Sequence, residues 1–332
     1  MQEVWQISPM SLLTERWPEP PAAELLAGFV PPPHFASATF ETYVPQDPSQ
    51  ASALGDLRAF AREIDAPRRR GFGRRPVPLR GRYLDGGFGV GKTHLLAALW
   101  HAVEAPAAFG TFVGYTNLVG ALGFNSVVDA LARYRLVCID EFELDDPGDT
   151  VMLSTLCARL VERGVVLAAT SNTLPDQLGE GRFAAEDFLR EIQGLATHFA
   201  VVRIDGADFR HRVGVPVAGG EDPLRVKAQV DAVGGVVEDF DRVLSHLARI
   251  HPSRYRYLLQ GIAMLGLTSV RTIHDQADAL RLVVFVDRLY DLDIPVRSAG
   301  VRLDALFAPD LLRGGYRKKY YRALSRLASL HE

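Results

Sequence analysis

One segment of eight residues restricts the fold of this chain more than any other. Residues 86–93 read Gly-Gly-Phe-Gly-Val-Gly-Lys-Thr and match the phosphate-loop pattern G-x-x-x-x-G-K-[ST] at every required position. An extended stretch, RYLD, precedes the segment, and a helix-like run, HLLAALWHAV, follows it. In such a context the loop N–H groups and the positive end of the helix dipole face the same phosphate. The pattern therefore predicts a nucleotide-binding loop between a strand and a helix.

The loop pattern also predicts what its residues bind. Lys92 is expected to reach the β and γ phosphates of ATP and to act in catalysis, and the Thr93 hydroxyl is expected to ligate Mg²⁺. ATP and Mg²⁺ are thus the predicted ligands. The full set of predicted nucleotide-binding residues is Gly86, Gly87, Phe88, Gly89, Val90, Gly91, Lys92, Thr93 and His94.

A second segment, residues 135–141, is an apolar run that ends in two adjacent carboxylates. Its length and composition predict a central parallel strand that is buried on both faces. The carboxyl end of such a strand faces the crevice in which α/β sheets bind ligands. Asp140 is therefore predicted to hold Mg²⁺, directly or through water, and Glu141 to polarise the water that attacks the γ phosphate. An ordinary strand-end turn is the alternative interpretation of this pair.

Two further strands are predicted around these motifs. A strand at Thr111–Tyr115 implies a sheet in which an extra strand separates the loop strand from the magnesium strand, as in hydrolysing motor-type ATPases. An apolar run at Val165–Ala169 ends in Thr-Ser-Asn. Asn172 is predicted to donate a hydrogen bond to the γ phosphate or to the attacking water, the role called sensor 1. The alternative is a polar cap at a strand end.

Several stretches of the chain resemble the ZapE-type ATPases, relatives of the mitochondrial AFG-type proteins within the AAA+ class. They are RGRYLDGGFGVGKTHLLAALWHA, CIDEFELDDPGDTVMLSTLCARLVERGVVLAATSNTLPDQL, FVDRLYDLDIPVRSAG and YYRALSRL. The resemblance runs from about Phe40 to the C-terminus. It implies an oligomeric ATPase that is associated in bacteria with the division ring built by the tubulin-like protein FtsZ, and in mitochondria with protein quality control. FtsZ is thus a candidate protein partner, and a homo-oligomer that is peripheral at the division site is expected.

The chain departs from this family's pattern where an arginine finger is expected. The family segment usually reads L-Q-R-x-R-F, whereas the corresponding stretch here is EGRFAAEDFLR, with Ala185 and Asp187 at the expected arginine positions. We hypothesise that Arg182 reaches the γ phosphate of a neighbouring subunit, because a guanidinium supplied in trans can neutralise transition-state charge. Arg190 is the second candidate. A solvated loop charge is the alternative interpretation of Arg182.

Composition favours a cytoplasmic enzyme with more than one domain. The 332 residues are 48% hydrophobic, and the net charge of −3 provides no global attraction to nucleic acid or anionic lipid. Two cysteines give neither a disulfide framework nor a thiolate metal site. No apolar span approaches the roughly 18 residues of a transmembrane helix.

A local exception to the charge balance is residues 68–82, which contain seven arginines. Their glycines and prolines predict an irregular basic connector. Such a connector could contact nucleic acid, an acidic protein or anionic lipid, and a plain solvated linker is the alternative.

The predicted domain order has three parts. Residues 1–80 form an N-terminal extension with one helix, Gln50–Ile64, and end in the arginine-rich connector. Residues 81–218 form the ATPase core, which closes with a strand at Ala200–Ile204. Residues 219–332 form a C-terminal lid or regulatory region with helices at 236–249, Asp275–Asp291 and Arg317–Arg326.

Aromatic residues upstream of the loop offer a further hypothesis. Phe40, Tyr43 and Pro45 could border the adenine, although core packing is the usual role of such residues. His94 and His101 lie on one face of the predicted helix behind the loop, without the acid–histidine spacing of a metal site.

The sequence as a whole predicts an α/β P-loop NTPase with an AAA+-like parallel sheet flanked by helices, and a smaller C-terminal α/β or helical lid region. The predicted function is Mg²⁺-dependent ATP hydrolysis coupled to the remodelling of a protein partner. One alternative is a DNA-associated, helicase-loader-like ATPase, which would use the arginine run. Another is a nucleotide-gated adaptor with little turnover, which a missing arginine finger would favour.

Overall fold

The computed structural model describes residues 11–67, 79–87, 89–142, 147–171, 194, 196–206 and 218–331. The chain divides into two compact units. The P-loop unit is Ala22–His211, and the C-terminal unit combines Met1–Pro21 with Arg212–Glu332. The P-loop unit is therefore inserted, along the chain, between two segments of the other unit. Within the described residues, no helix is both long and apolar enough to cross a membrane.

The P-loop unit contains one sheet of five parallel strands in the order β2-β3-β4-β1-β5. The strands are β1 (Gly81–Gly86), β2 (Ala107–Thr111), β3 (Leu136–Asp140), β4 (Val166–Ser171) and β5 (Phe199–Ile204). Among its described residues, the α-helices are α1 (Ala22–Ala27), α2 (Pro48–Asp65), α3 (Lys92–Ala102), α4 (Phe112–Leu122), α5 (Phe124–Leu131) and α6 (Pro147–Glu162).

The strand order bears out one prediction and corrects another. A strand does separate the loop strand β1 from the acidic strand β3, but it is β4, whereas the strand between them in sequence, β2, lies at the sheet edge. The predicted strand Thr111–Tyr115 is wrong, because β2 ends at Thr111 and helix α4 begins at Phe112. The Thr111 hydroxyl accepts a hydrogen bond from the Gly114 N–H at 3.0 Å, which caps the helix at this point.

Helix α2 packs on the sheet as its apolar spacing predicts. Asp47 caps its first turn by accepting a hydrogen bond from the Ser49 N–H at 2.8 Å. Leu57 and Phe60 are completely buried in a core that also contains Leu84 of β1 and Leu95 of α3. The predicted division at residues 80 and 81 thus differs from the compact units, since α2 shares a hydrophobic core with the phosphate-loop strand.

The C-terminal unit is an α/β unit with a parallel sheet of three strands in the order β6-β7-β8. The strands are β6 (Val236–Asp239), β7 (Leu265–Val270) and β8 (Val296–Gly300). The helices are α7 (Pro223–Ala232), α8 (Phe240–Leu247), α9 (Tyr255–Leu258), α10 (Gln276–Asp291), α11 (Pro309–Arg313) and α12 (Arg317–His331).

One helix prediction in this unit is wrong at its start. Residues 236–239 form β6 rather than the first turn of a helix, and α8 begins only at Phe240. Asp239 ends the strand and caps the helix by accepting a hydrogen bond from the Arg242 N–H at 3.1 Å. The predicted helix Asp275–Asp291 is α10, and the predicted closing helix is α12, which continues to His331.

A short N-terminal segment, residues 11–17, completes the C-terminal unit. Leu13 is fully buried in the hydrophobic core of this unit. The Arg16 guanidinium, 4% exposed, donates to the carbonyl oxygens of Leu258 and Gln260, both at 2.8 Å. The Thr14 N–H donates to the carboxylate of the buried Glu238 at 2.9 Å. These contacts join residues that are more than 220 positions apart, at separations of 224, 242 and 244.

Candidate active site

The phosphate loop connects β1 to α3 through two glycines in the left-handed region. Gly89 has a φ of 74° and Gly91 a φ of 85°, conformations that side-chain-bearing residues rarely adopt. A Cβ atom on Gly91 would lie 2.6 Å from the ring of Tyr43. The Tyr43 hydroxyl also donates to the carbonyl oxygen of Val90 at 2.9 Å. The last turn of the loop is thus fitted to the Tyr43 ring, and only glycine fits at position 91.

Lys92, the first residue of α3, folds back over the loop. Its ammonium group donates to the carbonyl oxygens of Gly86 at 2.8 Å and Gly87 at 2.5 Å. The positive charge of Lys92 therefore lies inside the loop. The N–H groups of the loop and the N-terminal end of α3 favour an anion at the same place. Phe88 lies outside the described residues.

Asp140 and Thr93 meet at the carboxyl ends of β3 and β1. The Thr93 hydroxyl donates to the Asp140 carboxylate at 3.2 Å, and the Thr170 hydroxyl of β4 donates to the same oxygen at 2.5 Å. Asp140 is only 5% exposed. Burial, followed by the charge of Glu141, raises the pKa of Asp140 to about 6, against the opposing effect of the two hydroxyl donors. A nearby cation would stabilise the ionised form of this carboxylate.

Glu141 lies in a sharp turn directly after β3. Its φ of 53° lies in the left-handed region, which is uncommon for any residue other than glycine. Its N–H donates to the Thr170 hydroxyl oxygen at 3.0 Å, and the Phe142 N–H donates to the Thr170 carbonyl oxygen at 2.7 Å. The Glu141 side chain is half-buried next to the Asp140 carboxylate.

The segment upstream of the loop reaches the site through His94. The His94 Nε2 atom lies 3.0 Å from the Thr42 hydroxyl and 3.1 Å from the Thr39 carbonyl oxygen, so this histidine joins α3 to the upstream segment. Phe40 and Tyr43 are buried in a hydrophobic core, which agrees with the core-packing interpretation of these residues. Pro45 is half-buried.

The structure describes every predicted site residue except Phe88, Asn172 and Arg182, and it joins the helix after the phosphate loop to Asp140 through Thr93. Lys92, Thr93, Asp140 and Glu141 lie at neighbouring strand and helix ends. The predicted sensor Asn172 and the predicted finger Arg182, together with Arg190, lie outside the described residues. Thr170 was not predicted as a site residue, although the sequence shows a polar residue directly after the predicted apolar run Val165–Ala169.

Comparison with known proteins decides the family. A model of the AFG1-like ATPase family matches residues 21–218 and 221–332. This chain belongs to the AFG1-like ATPase family. The resemblance inferred from the sequence motifs is thereby confirmed, and the chain is an ATPase that binds ATP.

The chain is also similar to two curated proteins. It is 27% identical over 298 residues to the cell division protein ZapE of Escherichia coli K12, covering 76% of this chain and 78% of the relative. It is 28% identical over 162 residues to lactation elevated protein 1 homolog B of Danio rerio, covering 42% of this chain and 32% of the relative. The first match spans most of both chains.

Solved structures give a weaker likeness. The crystal structure of DnaI has a TM-score of 0.43 and 18% identity, covering 54% of this chain and 94% of that one. AMPPCP-bound DnaA from Aquifex aeolicus has a TM-score of 0.40 and 12% identity, covering 60% and 56%. The P-loop NTPase fold of this AFG1-like ATPase rests on its strand order, its loop geometry and its family membership.

Proposed function

We propose that this AFG1-like ATPase hydrolyses ATP with Mg²⁺ and uses the cycle to remodel a protein partner. The observation that carries the proposal is the 3.2 Å hydrogen bond between the Thr93 hydroxyl and the Asp140 carboxylate. It joins the acidic strand β3 to the start of α3, the helix whose first residue is Lys92. A site of this composition suits a metal-bound triphosphate.

The donor set fits magnesium. Mg²⁺ prefers oxygen ligands and usually takes one or two from protein, with phosphate and water supplying the others. The Thr93 hydroxyl and the Asp140 carboxylate would hold it. Within the described ranges, no group of three or more His, Cys, Asp and Glu side chains is arranged to bind a metal, so the nucleotide itself would complete the ligand set. Bound there, the ion would neutralise charge on the β and γ phosphates.

The remaining steps fall to the side chains of the chain itself. Lys92 would exchange the carbonyl oxygens of Gly86 and Gly87 for phosphate oxygens, while the loop N–H groups bind the same anion. Glu141 would orient the attacking water and accept its proton. Asn172 is proposed as the residue that contacts the γ phosphate from the end of the next strand.

Hydrolysis is tested by comparing Glu141→Gln with the wild type, each with Mg²⁺ and with excess EDTA. We expect the wild type to need Mg²⁺, and Glu141→Gln to lose at least about 100-fold in kcat while it still binds ATP. Glu162→Gln is the matched control, because Glu162 is an exposed acid on α6 whose ion-pair partner, Arg159, is also exposed. A Glu141→Gln rate within about twofold of wild type would exclude Glu141 as the base.

A role in cell division is proposed from the relative of that name. In this proposal the chain acts in the cytoplasm, peripherally at the division site. FtsZ polymers, which the resemblance to the ZapE-type ATPases implies, are its proposed partner. Sedimentation of FtsZ polymers with wild type, ATP and Mg²⁺ should show a change in polymer mass that Glu141→Gln does not produce. ATPase stimulation by DNA, without any effect of FtsZ, would instead favour the helicase-loader-like alternative.

The proposed role of Arg182 as a finger requires a homo-oligomer, because the arginine would be supplied by a neighbouring subunit. Native mass spectrometry with and without ATP would show whether the subunits associate. Arg182→Ala should abolish the concentration-dependent part of the ATPase rate, and Arg190→Ala is the comparison variant. An unchanged concentration dependence in Arg182→Ala would discard this residue as the finger.

A further inference from the structure

One hydroxyl group lies between the two acidic residues of the site. Thr170, on β4, is 2% exposed. Its hydroxyl donates to the Asp140 carboxylate at 2.5 Å and accepts from the Glu141 N–H at 3.0 Å. A hydroxyl has one hydrogen and two lone pairs, so the group can make both bonds at once. The Thr170 hydroxyl oxygen thus makes hydrogen bonds to both residues: to Asp140, the proposed metal ligand, and to the backbone of Glu141, the proposed base.

The backbone of Thr170 extends this connection. Its carbonyl oxygen accepts from the Phe142 N–H at 2.7 Å, so residues 140, 141 and 142 are all bonded to the same residue of the neighbouring strand. Glu141 needs such support, because a left-handed conformation at a residue with a side chain persists only when its surroundings enforce it.

The position of β4 explains why this residue can serve both sides of the site. The strand lies between β1, which leads into the phosphate loop, and β3, which ends in Asp140. Thr170 is paired with Leu84 of β1 in the parallel register. The Asp140 oxygen that accepts from Thr170 also accepts from Thr93, on the helix that follows the loop.

We propose that Thr170 is a positioning residue for ATP hydrolysis, whose hydroxyl orients the Asp140 carboxylate toward the metal and at the same time fixes the turn that aims Glu141. The inference rests on the proposed Mg²⁺-dependent hydrolysis. Thr170 contacts neither the nucleotide nor the water in this scheme, and it acts through the two carboxylates.

Substitutions at Thr170 separate the hydroxyl from the shape of the side chain. Thr170→Val keeps the branched shape but leaves the Glu141 N–H without its acceptor and Asp140 without one donor. Thr170→Ser keeps the hydroxyl. Thr170→Ala also removes the hydroxyl, and it replaces the valine variant if that variant does not fold. Thr116→Val is the matched control, because Thr116 is 9% exposed and its hydroxyl donates to the Val113 carbonyl oxygen at 3.1 Å within α4.

The test measures kcat, the Mg²⁺ concentration for half-maximal rate, and binding of a fluorescent non-hydrolysable ATP analogue with Mg²⁺ and with EDTA. In Thr170→Val we expect kcat to fall by about 10- to 100-fold and the Mg²⁺ midpoint to rise by about 10-fold, in both hydrolysis and analogue binding. Analogue affinity in EDTA should stay within about twofold, because the phosphate loop is unchanged. Thr170→Ser should restore both values to within about threefold of wild type, and Thr116→Val should leave both within about twofold.

Two results would overturn the role of Thr170. One is a Thr170→Val enzyme whose kcat and Mg²⁺ midpoint match those of Thr116→Val. The other is a Thr170→Ser enzyme as impaired as Thr170→Val, which would show that the hydroxyl is not what matters. A wild type that hydrolyses ATP equally well in EDTA would overturn the magnesium proposal itself and this inference with it, so the two failures are distinguishable.

Discussion

Tyr43 shows how one side chain, remote in sequence, shapes the phosphate loop. Its ring lies where a Cβ of Gly91 would be, and its hydroxyl donates to the Val90 carbonyl oxygen. Burial raises the pKa of Tyr43, so the hydroxyl remains a donor at neutral pH. The turn that leads into α3 is therefore held from outside the loop as well as by its own glycines.

Replacing Tyr43 with phenylalanine should weaken ATP binding. The ring is kept, but the Val90 carbonyl oxygen loses its donor, which we expect to reduce affinity by about 3- to 10-fold. Fluorescence titration with an ATP analogue measures this change. Tyr255→Phe is the control, since the buried Tyr255 hydroxyl donates to the Leu247 carbonyl oxygen at 2.8 Å in the C-terminal unit. Equal ATP affinities in the two variants would contradict the role given to Tyr43.

At the level of the elements, helix α2 contains a glycine that nothing in its surroundings requires. Gly55 lies in the interior of the helix, and a Cβ built there meets no atom within 4 Å. Gly55→Ala should therefore raise the free energy of unfolding by about 0.5–1 kcal/mol, because alanine restricts the unfolded chain more. Urea denaturation measures the change. Gly123 also has open space but a φ of 81°, so Gly123→Ala should destabilise instead. If Gly55→Ala and Gly123→Ala changed the free energy of unfolding in the same direction, this explanation would be wrong.

Helices α10 and α12 are joined by a shared carboxylate. The Asp287 side chain, 17% exposed, accepts from Arg322 at 2.8 Å and also from Arg326. Burial raises the pKa of Asp287, but the two guanidinium groups outweigh this effect and hold the pKa below its ordinary value of 3.8. The ionised carboxylate therefore stabilises the packing of these helices near neutral pH.

Removing this charge should make stability depend less on pH. Because the folded-state pKa is lowered, the contribution of Asp287 is present above pH 3.8 and is lost as the pH falls through the lowered value. Asp287→Asn should reduce the free energy of unfolding by about 2–4 kcal/mol near neutral pH, and the difference from wild type should shrink as the pH falls below 3.8. Urea denaturation across this range measures it. Asp310→Asn, at a residue whose side chain is 92% exposed, should change little.

Sequence patterns predicted elements well where one apolar period dominated. Strands β3 and β4 follow apolar runs, and helix α2 follows an apolar pattern with helical spacing. Strand β2 was misplaced because its sequence, AAFGT, has little β-propensity, whereas the start of α4, FVGY, is rich in aromatic and β-branched residues. The Thr111 cap decides the boundary. The polar residue Thr170 after an apolar run is visible in the sequence, but its partners are not, because they depend on the register between β3 and β4.

For the molecule as a whole, the N-terminal segment is the least predictable feature. Its residues carry no long periodic pattern, yet Leu13 and Arg16 are buried in a unit whose other residues begin at position 212. Local sequence cannot reveal a partner that is more than 220 residues away, as the separation of 242 between Arg16 and Leu258 illustrates. The predicted boundaries at residues 80 and 218 follow the local sequence in the same way, whereas one compact unit combines Met1–Pro21 with Arg212–Glu332.

Arg16→Ala should destabilise the C-terminal unit selectively. The carbonyl oxygens of Leu258 and Gln260 would lose a charged donor, at a cost of about 2–4 kcal/mol. Hydrogen exchange should then show faster exchange in β6 and α8 but not in α3. Arg313→Ala is the control, since the Arg313 side chain is 75% exposed and pairs with an exposed aspartate. If Arg16→Ala accelerated hydrogen exchange by the same factor in both units, the selective effect on the C-terminal unit would be contradicted.

The insertion of the P-loop unit between two parts of the C-terminal unit has a mechanical consequence. A protease nick beyond residue 211 would divide the polypeptide, yet the buried Leu13 and Arg16 would still hold the two fragments together as a split protein. Because the chain passes from one unit to the other twice, a single cut at either crossing leaves the two units covalently joined through the other crossing.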